Sequence, residues 1–355
     1  MKIIKTGFKV LGSFLALAVI LMLILILMVT LADFKPPLRE ILKPAGKVTT
    51  DAIQKKTFSV LLWNIGYAGL GSEMDFFYDG GKKVRPKQDY YNLCIDGIKN
   101  FIQQNDTVDF IFLQEVDKKS HRSFRENQVE QLQKILPAYE SVFAANYDVM
   151  FVPIPLNRPM GKVLSGVVSL SRYNAHSSER VSFEGNFKWP KNLFMLDRCF
   201  IIQRFVLSSG KVLVMINTHN SAFDDGSLRM AELNVLKQTA TEEFRKGNYV
   251  VIGGDWNLNP PGYRLSMITT GDIGVGNDVS DTSGHLMPEG WQWAFDNTTP
   301  SNRFADEPYQ KGRTKTTILD YFLLSPNIQI ENIETVDFGF RYSDHNPVKM
   351  NFKLK

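Results

Sequence analysis

An acidic side chain and an amide side chain follow a short apolar run near the middle of the chain. Residues 250–252 are Val-Val-Ile, two glycines come next, and Asp255 and Asn257 follow. A β-branched run bounded by glycine is typical of a buried strand, and side chains two residues apart on a strand share a face. We therefore predict that Asp255 and Asn257 share one site. The alternative is an Asx-type turn, in which both side chains bond only their own backbone.

Further polar side chains with useful chemistry stand at the ends of other apolar runs or in the turns beside them: Asn64, Glu115, His219, Asp320, Asp344 and His345. The oxygen atoms of Asn64, Glu115 and Asp344 suit Mg²⁺ or Mn²⁺ better than zinc. The two histidines could bind a phosphate oxygen or transfer protons, and Asp320 could hold an imidazole in one tautomer. Together these groups can carry out metal-assisted hydrolysis of a phosphate ester.

Each of these residues also has a structural explanation. Glu115 fits a solvated strand terminus, His219 fits a turn, and residues 343–345 fit a turn that enters an edge strand. The recurrence of the pattern favours a common site, because independent turns need not all carry groups that serve one reaction.

The composition fits a globular protein and gives no support for a polyanionic partner. Hydrophobic residues make up 44% of the 355 residues and charged residues 22%, which is ordinary usage for one large α/β domain or two smaller ones. The net charge is +4, but Lys2, Lys5 and Lys9 precede the first acidic residue, so the remaining chain is nearly neutral. Cys94 and Cys199 are too few for a disulfide framework or a cysteine-rich zinc site, and whether they pair stays open.

The N-terminal region carries a predicted membrane anchor. Residues 1–9 form a short basic end, and residues 10–32 contain no charged side chain, so a helix could cross roughly 30 Å of hydrocarbon. A cleaved signal peptide is the alternative, but its apolar region normally spans only about 7–15 residues. With the basic end inside, the body lies on the extracytoplasmic side, although basic residues also flank the other end of the span. Residues 33–57, which contain three prolines, are predicted to form a polar stalk.

Residues 58–355 are predicted to form one domain without internal repeats. Apolar runs predict strands at 58–63, 109–114, 139–145, 163–170, 199–207, 212–217, 250–252, 318–324 and 347–354. Helices are predicted at 90–104, 123–136 and 228–244. Long loops are predicted at 66–91, 147–159, 181–192 and 260–317.

Six short motifs resemble, in order, those of the endonuclease/exonuclease/phosphatase superfamily. They are LWNI at 62–65, FLQEV at 112–116, NTH at 217–219, IGGDWN at 252–257, ILDY at 318–321 and YSDHNPV at 342–348. The resemblance covers residues 58–355 and is strongest toward deoxyribonuclease-like and neutral-sphingomyelinase-like members. It implies a four-layer α/β sandwich, in which two packed mixed β-sheets are flanked by helices and the site lies at one rim.

The resemblance also implies a role for each motif residue. Glu115 would be the principal metal carboxylate, assisted by Asn64 and Asp344. Asp255 would activate or orient the attacking water, and Asn257 would contact phosphate. His345 would be the catalytic histidine, oriented by Asp320, while His219 matches the members that use a second histidine. Trp256 departs from the Phe or Leu that is commoner there, and we expect it to pack on the side opposite Asp255.

The leading prediction is a membrane-tethered, Mg²⁺- or Mn²⁺-dependent phosphodiesterase that acts outside the cytoplasm. The anchor and the loop aromatics Trp291, Trp293 and Phe295 lean toward a phospholipid head group, although core or rim packing is the commoner role of such aromatics. An extracytoplasmic nuclease is the second prediction, and inositol phosphates are further possible substrates. A silent binding module is the alternative of another class, and the complete polar set argues against it. The sequence indicates no protein partner.

Overall fold

The computed structural model describes residues 2–46, 48, 53–185, 187–222, 226–263 and 286–355. The helices in these ranges are α1 (Lys2–Leu31), α2 (Gln88–Gln104), α3 (Gln128–Ile135) and α4 (Ser227–Arg245), besides short 3₁₀ turns. The strands are β1 (Arg39–Ile41), β2 (Thr57–Asn64), β3 (Phe110–Asp117), β4 (Glu140–Val152), β5 (Gly161–Ser171), β6 (Ser177–Ser182), β7 (Cys199–Val206), β8 (Val212–His219), β9 (Tyr249–Asp255), β10 (Gln292–Ala294), β11 (Asn302–Arg303), β12 (Thr316–Thr317), β13 (Asp320–Leu324), β14 (Ile328–Thr335) and β15 (Val348–Leu354).

Two mixed sheets form the body of the protein. One has the strand order β1-β6-β7-β8-β9-β13-β10 and the other β14-β15-β2-β3-β5-β4, with β11 and β12 as a separate pair. The neighbours β2 and β3 are parallel, as are β8 and β9, and the other described pairs are antiparallel.

Burial of apolar side chains explains the layers. Phe112 and Phe322 belong to a core cluster between the two sheets. The residues Ile98 and Leu132, on α2 and α3, pack in a second cluster against the outer face of one sheet, and Leu236 of α4 packs in a third cluster on the other. Helices therefore cover both sheets, and the predicted four-layer α/β sandwich is confirmed.

Strand direction brings the motif residues to one rim. Parallel neighbours end at the same edge of their sheet, as β2 and β3 do in one sheet and β8 and β9 in the other. Asn64 Nδ2 at the end of β2 donates to Asp255 Oδ2 at the end of β9 at 2.9 Å, so the two edges lie together. The strand β13 runs antiparallel to β9 and starts at this edge, with Asp320 opposite Asp255. Below the rim, Gln114 Nε2 of one sheet donates to Asn217 Oδ1 of the other at 2.6 Å, which ties the sheets together.

Several predicted element bounds are wrong. The strand β3 continues through Glu115 to Asp117. The helix predicted at 123–136 begins at Gln128, because Asn127 caps it by accepting the N–H of Glu130 at 3.3 Å. Residues 147–152, predicted as loop, extend β4. The strands β6 and β14 were not predicted, since β6 has a single apolar residue and the three isoleucines of β14 are separated by polar residues and form no apolar run. Both strands pair with a neighbour.

The N-terminal helix is a candidate membrane span, and part of the segment after it pairs with the body. In α1, residues Lys9–Leu31 are long and apolar enough to cross a membrane, although a signal sequence meets the same criterion. Part of the predicted stalk pairs with the body, because Arg39 of β1 lies opposite Val181 of β6. Residues 47 and 49–52 of that segment lie outside the described residues.

The loop aromatics and the two cysteines are packing residues. Trp293 lies 5.4 Å from Trp256 and 5.8 Å from Tyr321 between ring centroids, and Trp256 is buried as expected. Trp291 and Phe295 are likewise partly buried on this cluster, so packing rather than lipid contact explains these aromatics. Cys94 and Cys199 are free and buried. Residues 264–285 of the predicted loop at 260–317 lie outside the described residues.

Candidate active site

A cavity of about 940 Å³ opens at the rim where the strands end. Six of the predicted site residues line it: Glu115, His219, Asp255, Asn257, Asp344 and His345. The other two, Asn64 and Asp320, lie behind the wall and hydrogen-bond to Asp255 and His345 respectively. The structure therefore brings all eight predicted residues together.

His345 and Asp320 form a buried hydrogen-bonded pair. His345 Nδ1 lies 2.7 Å from Asp320 Oδ2. The N–H of Asp320 donates to Ser301 Oγ at 3.0 Å, which fixes the start of β13. Burial alone would lower the pKa of His345, but the carboxylates of Asp320 and Asp255 outweigh it and raise that pKa well above its usual value. The pair can therefore hold a proton at the rim.

Asn302 is a site residue that the sequence did not predict. Its Nδ2 lies 2.9 Å from His345 Nε2, the ring nitrogen that faces the cavity. Nδ2 can donate to Nε2 only when the ring is neutral, and a charged ring requires the amide to present Oδ1 instead. The sequence gives no sign of this contact, because Asn302 lies in a segment predicted as loop and reaches His345 through an isolated β-bridge.

We expect Asn302→Ala to lower kcat about tenfold, because loss of one hydrogen bond to a charged group costs roughly 1.5–3 kcal/mol and water replaces part of it. The pH–rate profile should shift as well, since His345 loses a partner at Nε2. Asn259→Ala is the control: its Nδ2 donates to Ile318 O at 3.0 Å, away from His345. Equal rates and profiles for the two variants would contradict this role.

Asp255 is the centre of the polar contacts. Its Oδ2 accepts from Asn64 Nδ2 at 2.9 Å and lies 3.5 Å from His219 Nε2 and 3.8 Å from His345 Nε2. Burial raises the pKa of Asp255, with a smaller raising contribution from Asp320, while His345 and Asn64 oppose it. A buried carboxylate of raised pKa is a suitable base for a water molecule.

Asn257 reaches Asp255 by a turn rather than by strand alternation. The strand ends at Asp255, and Asn257 has a left-handed φ of 48°, so the extended conformation does not continue. The Asx-type turn does form, since the N–H of Asn257 donates to Asp255 Oδ1 at 3.0 Å. Its side chain still faces the site: Nδ2 donates to Asn220 O at 2.9 Å and lies 3.4 Å from Asp255 Oδ2.

His219 presents a neutral imidazole. Burial lowers its pKa well below the usual value, and the positive charges of Arg198 and His345 lower it further. Its Nδ1 is buried and has no hydrogen-bond partner among the described residues. Since an unsatisfied buried ring nitrogen is costly, this atom is available to a bound ligand.

Glu115 and Asp344 place two carboxyl groups in the cavity wall. A bulge between Leu113 and Val116 interrupts β3, and Glu115 within it has a left-handed φ of 52°. The bulge leaves the side chain of Glu115 26% exposed. Burial raises the pKa of Asp344 to about 6, and the charge of Glu115 adds to this against His345 and Arg303. A divalent cation held by both carboxylates would relieve this repulsion, so the pair fits a metal.

Asn64 and His345 already make hydrogen bonds that limit which residues can hold a metal. Asn64 Oδ1 accepts the N–H of Gly66 at 3.0 Å, so its predicted metal role stays a prediction. Asp255, Asp320 and His345 form a buried group whose ligand atoms all lie within 4.8 Å of one another and could bind a metal. However, His345 Nδ1 already bonds Asp320, which favours a proton-transfer pair there and a metal beside Glu115.

Two unpredicted arginines border the cavity. Arg122 is neutralised by Asp117, to which its Nε and Nη2 donate at 3.1 and 3.0 Å, and it lies 3.9 Å from Glu115. Arg198 Nη1 is buried without a hydrogen-bond partner among the described residues. Burial lowers the pKa of Arg198, and Glu232 and Glu115 oppose this. A phosphate oxygen would satisfy its free N–H donors.

We expect Asp79→Asn to stabilise the protein near neutral pH. Burial raises the pKa of Asp79 to about 6, with a further contribution from Asp344, against the N–H of Ala305. The unfolded carboxyl ionises near pH 3.9, so the free energy of unfolding falls as pH rises from about 4 to about 6. The variant lacks this loss and should gain about 1–2 kcal/mol near pH 7 and nothing below about pH 4.

The effect of Asp79→Asn on the free energy of unfolding is measured by denaturant unfolding at about pH 4 and about pH 7, with a chelator present. The exposed Asp106→Asn serves as control. An equal gain at both pH values would contradict the titration.

The family model described as Endonuclease/Exonuclease/phosphatase family matches residues 61–345, which is most of the chain. The chain belongs to this family. It is therefore a hydrolase of the phosphodiesterase, nuclease or phosphatase type, and enzymes of the family are generally divalent-metal dependent. No curated protein matches the sequence.

Solved structures show the same fold at low identity. The endonuclease/exonuclease/phosphatase from Beutenbergia cavernae has a TM-score of 0.57 at 17% identity, covering 84% of this chain and 72% of that one. TDP2 from D. rerio, complexed with a single-strand DNA product, has a TM-score of 0.53 at 17% identity, covering 84% and 99%. ANGEL2, a 2′,3′-cyclic phosphatase in complex with adenosine-2′,3′-vanadate, has a TM-score of 0.55 at 15% identity, covering 88% and 98%.

Proposed function

We propose that this protein is a membrane-anchored, Mg²⁺- or Mn²⁺-dependent phosphodiesterase that hydrolyses a phospholipid head group outside the cytoplasm. The proposed hydrolysis rests on the position of Asp255. It lies in the cavity wall between His219 and His345, and His345 is in turn bonded to Asp320 behind the wall. The anchor and the outside location rest on the apolar stretch Lys9–Leu31 and the basic residues before it.

The proposed mechanism assigns a task to each group in the wall. Glu115 and Asp344, with Asn64 nearby, would hold the metal. When bound, the metal would neutralise negative charge at the phosphate. Asp255 accepts a proton from the attacking water, and the imidazole of His345 donates a proton to the leaving oxygen. Asp320 keeps that imidazole oriented. His219 and Asn257 hold non-bridging phosphate oxygens.

The shape of the cavity supports a substrate with an apolar part. Beyond the polar wall, aromatic and aliphatic side chains line the space, among them Phe76, Tyr78, Ile154, Met160 and Phe194. Such a lining buries hydrocarbon favourably.

A nuclease is the second candidate, favoured by the fold shared with a TDP2 structure that contains a DNA product. The nearly neutral net charge of the body gives a nucleic-acid substrate no support. A silent binding module is disfavoured, because it would have no chemical need for the Asp320–His345 pair or for the two facing carboxylates.

The test is a substrate panel for the full chain in detergent micelles with Mg²⁺ or Mn²⁺. The panel contains an aryl phosphodiester, sphingomyelin, phosphatidylinositol phosphates, soluble inositol phosphates, plasmid DNA and RNA, with Asp255→Asn as the inactive control. We expect hydrolysis of a phospholipid that Asp255→Asn abolishes. Cleavage of DNA or RNA alone would support the nuclease, and no turnover of any substrate in the panel would overturn the proposed phosphodiesterase. For the location, protease digestion of intact cells should cleave the body, and full protection would refute an extracytoplasmic domain.

A further inference from the structure

Exposed apolar side chains lie on one side of the mouth of the cavity. Met150, Ile154, Leu156 and Trp189 are 38%, 40%, 86% and 63% exposed, and we call these four the apolar rim. Ile154 itself lines the cavity, and so does Phe187, two residues before Trp189. The apolar rim therefore belongs to the end of β4, which holds Met150, and to two loops that form one side of the entrance.

This concentration is unusual for the described surface. Outside α1, the described residues with large exposed apolar side chains are the apolar rim and Leu38, Ile41, Leu93 and Val206. Leu38 and Ile41 lie in or next to β1, close behind the N-terminal helix. Since soluble surfaces scatter such residues singly, a cluster at an active-site entrance indicates a binding surface.

The candidate anchor ends beside the same wall. The ring of Phe34, just after α1, lies 5.7 Å from the guanidinium carbon of Arg180, and Arg180 Nη2 donates to Asp197 O at 3.1 Å. Residues 194–196 and Arg198, on either side of Asp197, line the cavity. Burial raises the pKa of Asp197 to about 6, and the nearby carboxylates of Asp33 and Asp148 contribute. The end of α1 thus lies against the outer side of the cavity wall.

The charges around the apolar rim suit a lipid surface. Arg158 follows Leu156 by two residues, and Lys188 and Lys191 lie on either side of Trp189. All three basic side chains are exposed. Tryptophan combined with Lys or Arg is typical of the interface between head groups and acyl chains, and basic residues favour anionic lipids.

We propose that the apolar rim inserts into the interface of the bilayer that α1 spans, so that the cavity opens onto the membrane surface and takes a lipid phosphate ester directly from it. The choice of substrate rests on the proposed function, whereas the contact with the bilayer does not. The contact of Phe34 with Arg180 and the pairing of β1 with β6 hold the body close to the end of α1. The apolar rim adds a second membrane contact, which turns the entrance toward the lipid.

The contact is tested without catalysis by labelling the full chain in nanodiscs of phosphatidylcholine and phosphatidylglycerol. Leu156→Cys and, as control, Val206→Cys each receive an environment-sensitive fluorophore, which is selective because the native cysteines are buried. Val206 is 41% exposed and lies at the end of β7 away from the site. Nitroxide-labelled lipid should quench the label at position 156 several-fold more strongly than that at 206. Equal quenching would overturn the proposal.

A rate measurement separates this proposal from the proposed function. Leu156→Ser combined with Trp189→Ser should lower hydrolysis of vesicle lipid about tenfold and leave the aryl phosphodiester unchanged, since neither side chain lines the cavity. Val206→Ser should change neither rate. Strong quenching at position 156 without lipid hydrolysis would refute the phospholipid substrate and keep the membrane contact. Lipid hydrolysis that the double variant leaves intact would refute the contact and keep the substrate.

Discussion

His345→Ala is expected to lower phosphate-ester hydrolysis about 10³–10⁴-fold, because general acid–base catalysis by a positioned imidazole contributes up to this much. The imidazole is held at Nδ1 by Asp320 at 2.7 Å, and its Nε2 lies 3.8 Å from Asp255, the candidate water base. Removing it also removes a charge that opposes protonation of Asp255. The assay is kcat for an aryl phosphodiester at saturating Mg²⁺.

The same assay on two further variants isolates the role of His345. The exposed His176→Ala is the matched control and should keep the full rate. Asp320→Asn should give a smaller loss with a pH–rate profile displaced to lower pH, because the carboxylate that raises the pKa of His345 is gone. A rate for His345→Ala within a few-fold of wild type would remove this residue from the chemistry.

The rim could be predicted from the sequence because it depends on strand direction. Apolar runs that end in acid, amide or histidine place those side chains at strand ends, and parallel pairing brings such ends to one edge. The register confirms this for β8 and β9, where His219 lies opposite Asp255.

Local backbone shape and long-range contacts could not be predicted in this way. The bulge that directs Glu115 and the left-handed turn at Asn257 depart from the alternation on which the prediction rested. Asn302 reaches His345 across 43 residues of chain, and no periodic pattern encodes that approach. The apolar rim lies mostly in loops without a period, so no sequence pattern predicts it, whereas the tryptophans that the sequence does single out, Trp291 and Trp293, are packed.

Glu115→Gln is expected to lower hydrolysis about 10²–10³-fold, because it removes the negative charge that a hard cation requires while keeping the size of the side chain. Part of the loss should return at higher Mg²⁺ concentration, since Asp344 remains to bind the ion. The substitution should also lower the pKa of Asp344, because the charge of Glu115 contributes to raising it. Rates measured against Mg²⁺ concentration, together with metal binding by calorimetry, report both effects.

The matched control for Glu115 is the exposed Glu334→Gln on β14, which should change neither the rate nor the Mg²⁺ dependence. A variant Glu115→Gln with reduced rate but unaltered Mg²⁺ dependence would contradict metal binding and point to the contact with Arg122, 3.9 Å away. In that case Arg122→Lys should reproduce the loss, because lysine cannot keep the paired contact with Asp117 that positions the guanidinium. If Arg122→Lys instead keeps the rate, the carboxylate of Glu115 acts on the metal or the substrate directly.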